Sequence, residues 1–490
     1  MKKTGAILGG LAAFAALWSA GWFAGKSLYV EPEADRAVER MRAGSLFFAY
    51  ERRAVTGFPF GYDIAFEDVS VSDAGGLWRW RAPAVSVSAG LSDPAALVIR
   101  PAPESRLTVE SAAFGAGGAP ASVFDVEAEG FVVTLAEDGE GPRATIEAAR
   151  LAAVQAPGGG ALSDVRIVLS ALEAEGRFGA GAGRGALKAA SAEYALALSL
   201  DQVSETRAEG RYEDLSLTFE GAALDAGDLA AFLAADGIFD LRMETGAVSG
   251  VSRSTGGPSA PPVAYDAAAG RSETLIALRG GRAAYSATAE GLTFSYDAEP
   301  PAAFPGGGGA AARVEMRLDM PLRRAPEPAP WALDLVLAGL EPDEALWSAV
   351  DPAGALGRGP LALEVRLDGA ARITADLGAA SLSGSPVAVE TLAIRAARLS
   401  LPGFAAEAEG ALDIVGPASQ PEGEVALELR GAYDLLDRAA RGGLLAPEAA
   451  DGYREVLTVY GKPGQEGADH LLADIRLGRG EVSINGTPLR

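Results

Sequence analysis

The chain has 490 residues, 66 Asp+Glu against 42 Lys+Arg for a formal net charge of −24, one histidine and no cysteine. That balance offers no basic surface to nucleic acid and none suited to an anionic headgroup layer. The missing cysteines exclude thiol catalysis, thiolate metal sites and disulfides, and the single His470 removes nearly all histidine chemistry.

Lys2 and Lys3 precede an uncharged run from Gly5 to Gly25 (GAILGGLAAFAALWSAGWFAG), which Lys26 ends. About 20 apolar residues suffice to cross a bilayer as one helix. A cleaved secretory signal competes with this reading, but its apolar core would span about 7–15 residues before a small-residue site. Here the run continues through Trp18, Trp22 and Phe23, and Phe23-Ala24-Gly25 is a poor cleavage site. Residues 1–25 are therefore expected to be a single-pass inner-membrane anchor, with the two lysines cytoplasmic and the rest of the chain exported to the periplasm.

From Pro32 to about Tyr50, Ala34, Val38, Met41 and Leu46 fall near one helical face, so 26–55 is expected to be a juxtamembrane helix. After Gly57 the period changes to 2. Tyr62, Ile64, Phe66, Val69 and Val71 come close to strand alternation, and similar stretches recur to the end of the chain. Short Gly, Pro or Asp turns between them favour antiparallel meanders over helix-crossed parallel sheets. The expected fold is mainly β (α+β): elongated antiparallel sheet with a few capping helices. Lobes are expected at 56–250 and 313–490, joined by a Gly/Pro-rich stretch, 251–312, that includes SRSTGGPSAPP and the four glycines Gly306 to Gly309.

A strand, a glycine and a helical stripe recur three times: Leu215 to Gly221 before Leu229…Leu233, Leu333 to Gly339 before Pro342…Trp347, and Val425 to Gly431 before Tyr433…Leu436. Their unequal spacing excludes a solenoid of fixed period. Pro447 opens a further helix to Tyr460, with Ala450, Tyr453, Leu457 and Tyr460 on one stripe.

Few residue patterns in the chain suit chemistry. Gly181-Ala-Gly-Arg-Gly-Ala186 fits a dinucleotide fingerprint, but the alternation at Tyr194 to Leu200 that follows suits a hairpin partner better than a helix. There is no GxSxG, Walker or HExxH sequence, and no carboxylate pair stands out as a glycosidase would require. Asn485-Gly486-Thr487 has the form of a glycosylation sequon, but Asn-Gly between apolar alternation suits a tight hairpin turn. No catalytic, cofactor-binding or metal-binding residue is assigned, and no enzyme activity is expected.

Thr56-Gly57-Phe58-Pro59-Phe60-Gly61-Tyr62-Asp63, then Trp78-Arg79-Trp80-Arg81-Ala82-Pro83, then Asp351-Pro352-Ala353-Gly354 through Pro360 and a Gly-rich final hairpin resemble domain-of-unknown-function family 2125, envelope proteins of alphaproteobacteria. The resemblance carries no catalytic residue. Gly57, Phe58, Pro59, Phe60, Trp80, Pro83, Asp351, Pro352, Gly354 and Pro360 are its marks, and a structural role is expected for them. The strands carry one apolar face each and few helices are available to cover them, so the faces either close into an ordinary core or form an open trough for acyl chains or another protein. At the level of architecture the plan is similar to AsmA-like proteins, which implies an association with the outer envelope and with lipid movement. Docking of another envelope protein is the alternative, and hydrolysis of an envelope polymer the third.

Overall fold

The structure is a computed structural model. It describes residues 19–20, 24–32, 35–36, 39, 46–58, 61–90, 96–110, 121–138, 141–157, 162–179, 182–199, 205–222, 229–256, 261–298, 306–374, 387–415, 420–478 and 480–489. The expected anchor falls almost wholly outside these. Among the described residues no helix is long and apolar enough to cross a membrane.

The chain is mainly β, as its alternation implies, and forms two compact units: Met1–Ala180 with Gly185–Arg211, and Gly181–Arg184 with Tyr212–Arg490. The first holds β1 (Leu46–Ala49), β2 (Arg52–Thr56), β3 (Gly61–Asp73), β4 (Trp78–Gly90), β5 (Leu97–Pro101), β6 (Glu104–Val109), β7 (Ser122–Glu129), β8 (Val132–Asp138), β9 (Gly141–Gln155) and β10 (Leu162–Gly179), followed by β11 (Ala182–Ser199). The helix expected to reach Tyr50 stops short of it. A helical stretch covers 24–32, with a π-helical turn at Lys26–Val30, but the aromatic run Phe47-Phe48 and β-branched Val55 lie in β1 and β2. Aromatic and branched side chains fit a pleated surface better than a helix.

Pairing in this unit is an antiparallel meander in which several strands are broken in two. β1 and β2 lie end to end along β3, β5 and β6 along the far edge of β4, and β7 and β8 along β9. The breaks fall on a line across the strands. Asp68 (φ 51°) lies between the pairs Glu67↔Ala84 and Val69↔Ala82, hence opposite Pro83. Gly130 (φ 65°) sits between β7 and β8 beside Ala149, which lies opposite Ala171 (φ 49°) of β10.

On this line two consecutive residues face outward, Glu67 and Asp68 on β3 and Pro83 and Ala84 on β4, while Phe66, Val69, Ala82 and Val85 point inward. The outer path is one residue longer than the inner, so each strand bends toward its apolar face, as bulged strands do. The four inward residues form a buried cluster with Phe48, Tyr50, Ile64, Val71, Trp80, Val87 and Ile99 packed around it.

The second unit contains the rest of β12 (Glu205–Ala222), then β13 (Ile238–Thr245), β14 (Val248–Ser254), β15 (Val263–Ala269), β16 (Arg271–Arg279), β17 (Arg282–Ala298), β18 (Gly306–Pro321), β19 (Ala329–Pro342), β20 (Leu361–Ile373), β21 (Val387–Leu401), β22 (Phe404–Val415), β23 (Gln420–Arg430), β24 (Lys462–Pro463), β25 (His470–Gly478), β26 (Glu481–Ile484) and β27 (Thr487–Pro488). Its helices are α1 (Leu229–Ala234), α2 (Glu344–Val350), α3 (Ala432–Arg441) and α4 (Pro447–Tyr460). All three strand-then-helix units and the helix opened by Pro447 are present. The glycines differ in role: Gly339 (φ 61°) lies inside β19, whereas Gly431 (φ 73°) is the N-cap of α3.

A line of bends crosses this unit too, at Asp214 (φ 50°), Gly246, Gly270, Gly291 (φ 61°), Ala312 and Gly339. Glu213 with Asp214, Glu290 with Gly291, and Ala312 with Arg313 are the outward pairs, and Ala269 and Ala311 are buried at the inner bend.

Gly306 to Gly309 do not act as a joint: they open β18. A Cβ on Gly307 would lie 2.8 Å from the Leu346 Cα and 2.9 Å from its nitrogen, and the Asp343 amide donates to the Gly308 carbonyl at 2.8 Å. The missing side chains let the first turn of α2 sit directly on the strand.

Candidate functional site

One face of the second unit's sheet is apolar along its whole width. Directly opposed residues share a face. The pairing register therefore aligns Phe219, Leu241, Ile276, Tyr285, Leu318, Leu333, Leu367, Ile394, Gly410, Val425, Ile475 and Ile484 in one row running from β12 to β26. A neighbouring row carries Leu217, Met243, Met316, Leu335, Val365 and Leu427. A third carries Val314, Leu337, Leu363, Leu399, Leu429 and Leu471. No charged side chain interrupts these rows. Thr245 and Ser272 join the third, and their hydroxyls bond each other at 2.7 Å.

Every residue of the first row is half-buried or more exposed, Ile276 and Tyr285 at 36% each; in the third, Leu471 is buried. A sheet face covered by a second layer would be dry, and this one is not. Twelve strands at about 4.8 Å spacing make the row about 53 Å long. The opposite face is charged and paired across strands, for example Arg242 with Glu273, Arg398 with Glu364, and Arg476 with Glu424.

Beside the third row lies a rim built from α2, the Asp351 loop, α3 and α4. Asp351 is fully buried and caps the C-terminal end of α2, its amide donating to the Trp347 carbonyl at 2.7 Å. Its carboxylate accepts the Ala355 amide at 2.8 Å and the Leu356 amide at 2.7 Å. Gly354 (φ 69°) and Gly357 (φ 83°) supply the left-handed turns this wrap requires. The Arg358 guanidinium lies 5.3 Å over the Trp347 ring. Gly357 and Gly359 sit against Pro402, whose carbonyl accepts Arg438 of α3 at 3.1 Å.

Asp469, outside α3, accepts the Tyr433 and Asp434 amides at 2.7 and 3.1 Å and so caps a helix whose own N-cap, Gly431, has no side chain. On α4, Leu457 and Tyr460 are half-buried and Ala450 is buried, but Tyr453 is 57% exposed, which moves it off the inner stripe expected for it.

The other family-motif residues sit in structural places. Gly57 (φ 102°) stands at a turn closed by the Gly61 amide on its carbonyl at 3.1 Å, and Phe58 follows it; Pro59 and Phe60 lie outside the described residues. Trp80 faces Val71 and donates its indole N–H to Ser105 Oγ at 3.1 Å, and Pro83 stands on the bend line. Pro352 and Pro360 are exposed in the Asp351 loop.

His470 is buried: Nδ1 accepts the Glu466 amide at 3.2 Å, so the neutral ring carries its proton on Nε2, 2.8 Å from Glu428 Oε1. Gly183 and Gly185 lie inside β11, which replaces the helix a dinucleotide turn needs. Asn485 (φ 53°) and Gly486 (φ 81°) turn β26 into β27, the expected hairpin, and the Asn485 side-chain amide donates to the Leu472 carbonyl. Among the described residues no group of three His, Asp or Glu is placed to hold a metal ion.

The fold and this face define a sheet protein with one charged surface and one broad, accessible apolar surface. The profile of a family described as "Uncharacterized protein conserved in bacteria (DUF2125)" matches residues 22–249 and 255–490, and the chain belongs to that family. No curated protein and no solved structure matches it.

Proposed function

We propose that this protein is a membrane-anchored envelope protein of AsmA-like architecture, with its body in the periplasm, and that the apolar face of its second unit shields lipid acyl chains. The observation that carries the reading is the uninterrupted apolar row from Phe219 to Ile484, which stays accessible. One leaflet of a bilayer core is about 15 Å thick, so the row exceeds the extent of a single acyl chain about threefold.

Binding would come from burial of apolar surface, about 0.8 kcal/mol for each fully covered methylene. Affinity then depends on chain length and little on the headgroup. Displacement of a fluorescent fatty acid from the purified body by saturated acids of increasing length tests this. Affinity should rise about two- to fourfold per methylene, according to how fully each is covered; no binding, or affinity independent of length, would sink the reading.

Docking of another envelope protein by strand addition is the second reading. It is disfavoured at the C-terminal edge, where Thr487 and Pro488 already pair with β26 and proline removes a donor.

A further inference from the structure

We infer that Leu28 and Phe58 form a membrane-contact surface that seats the first strands of the N-terminal unit in the interfacial layer of the bilayer. The inference rests on the anchor reading of Gly5 to Gly25. That run ends at Gly25, which lies beside the Tyr62 side chain of β3: a Cβ there would overlap the Tyr62 hydroxyl. The next residue, Lys26, donates from Nζ to the Val55 carbonyl of β2 at 3.1 Å. The end of the run, the end of β2 and the start of β3 therefore lie within one side chain's reach of each other. Those two contacts hold the corner close to the end of the run.

Two large apolar side chains are open to solvent at that corner. Leu28 is 67% exposed, three residues past Gly25 in the same helical stretch, and Phe58, beside Gly57 and four residues before Tyr62, is 47% exposed. Single exposed apolar residues are ordinary. These two flank the point where an apolar run reaches a folded unit, beside a lysine and a tyrosine, side chains that suit the headgroup level.

The absence of native cysteine permits single spin labels at Leu28→Cys, Phe58→Cys, Tyr453→Cys and Ala13→Cys in the full chain, reconstituted into phosphatidylethanolamine/phosphatidylglycerol vesicles. Positions 28 and 58 should show a severalfold higher ratio of oxygen to nickel-complex collisions than exposed position 453, and position 13 a ratio typical of hydrocarbon. If 28 and 58 behave like 453 while 13 is in hydrocarbon, the docking surface is refuted and the anchor stands. If 13 is aqueous as well, the anchor reading fails and the inference falls with it.

Discussion

Replacing Asp351 by alanine should destabilise the second unit without changing its apolar face. The carboxylate is fully buried and holds two backbone amides, Ala355 in a buried setting and Leu356 in a partly buried one. An unmet buried donor costs about 1–3 kcal/mol, and the bonds lost are to a charged acceptor, so about 2–5 kcal/mol should disappear. At about 2–4 °C per kcal/mol for a unit of this class, the melting midpoint falls by about 4–20 °C. Asp351→Asn keeps one acceptor and turns its NH2 toward the other amide, so it should fall between the two. Thermal unfolding followed by circular dichroism reads the shift, and hydrogen exchange at Ala355 and Leu356 localises it. An Asp351→Ala variant that melts with wild type, its two amides still protected, would refute the claim that this carboxylate fixes the rim.

Gly307→Val should displace α2, because Leu346 backbone atoms fill the space and the glycine sits at φ 153°; faster proteolysis of the 343–360 segment would report it. Gly291→Val, at φ 61° on the bend line, should cost about 1–3 kcal/mol, whereas Asp214→Gly at φ 50° should be neutral or slightly stabilising, both by denaturant titration. Asp343 accepts the Leu346 amide as N-cap of α2, and that bond, followed by Gly308, holds its carboxyl below the ordinary value. A lowered folded-state value makes its contribution present above the unfolded value and lost as pH falls through the folded one. Asp343→Ala should therefore cost about 1 kcal/mol at pH 7 and progressively less below about pH 4.

Local features were readable from sequence because their causes are local. Alternation gave the strands, Pro447 opened α4, and Asn485-Gly486 turned where a hairpin needs positive φ. The spacing Phe66 to Val69, three residues where alternation asks for two, already marked the bend; the same step recurs at Ala82 to Val85 and Ala289 to Leu292. Its meaning emerges only when neighbouring strands show the step at the same level. Gly306 to Gly309 misled for a related reason: glycine in a strand reads as a loop until the helix resting on it is known. The apolar row was out of reach, since its members are up to 265 residues apart (484 − 219) and are aligned by pairings that a single sequence does not encode in any local pattern. Asp469, too, gave no signal as a cap, because the helix it caps begins far back in the chain at Ala432.

The most direct test of acyl-chain shielding is lipid extraction and mass spectrometry of the purified body, wild type beside the double variant Ile276→Glu/Leu333→Glu, which places two charges in the middle of the row. Acyl-chain shielding requires at least stoichiometric lipid on the wild type, varied in headgroup, and about tenfold less on the variant at unchanged fold. Wild-type protein free of lipid in repeated preparations, or a variant that retains as much as wild type, would contradict it.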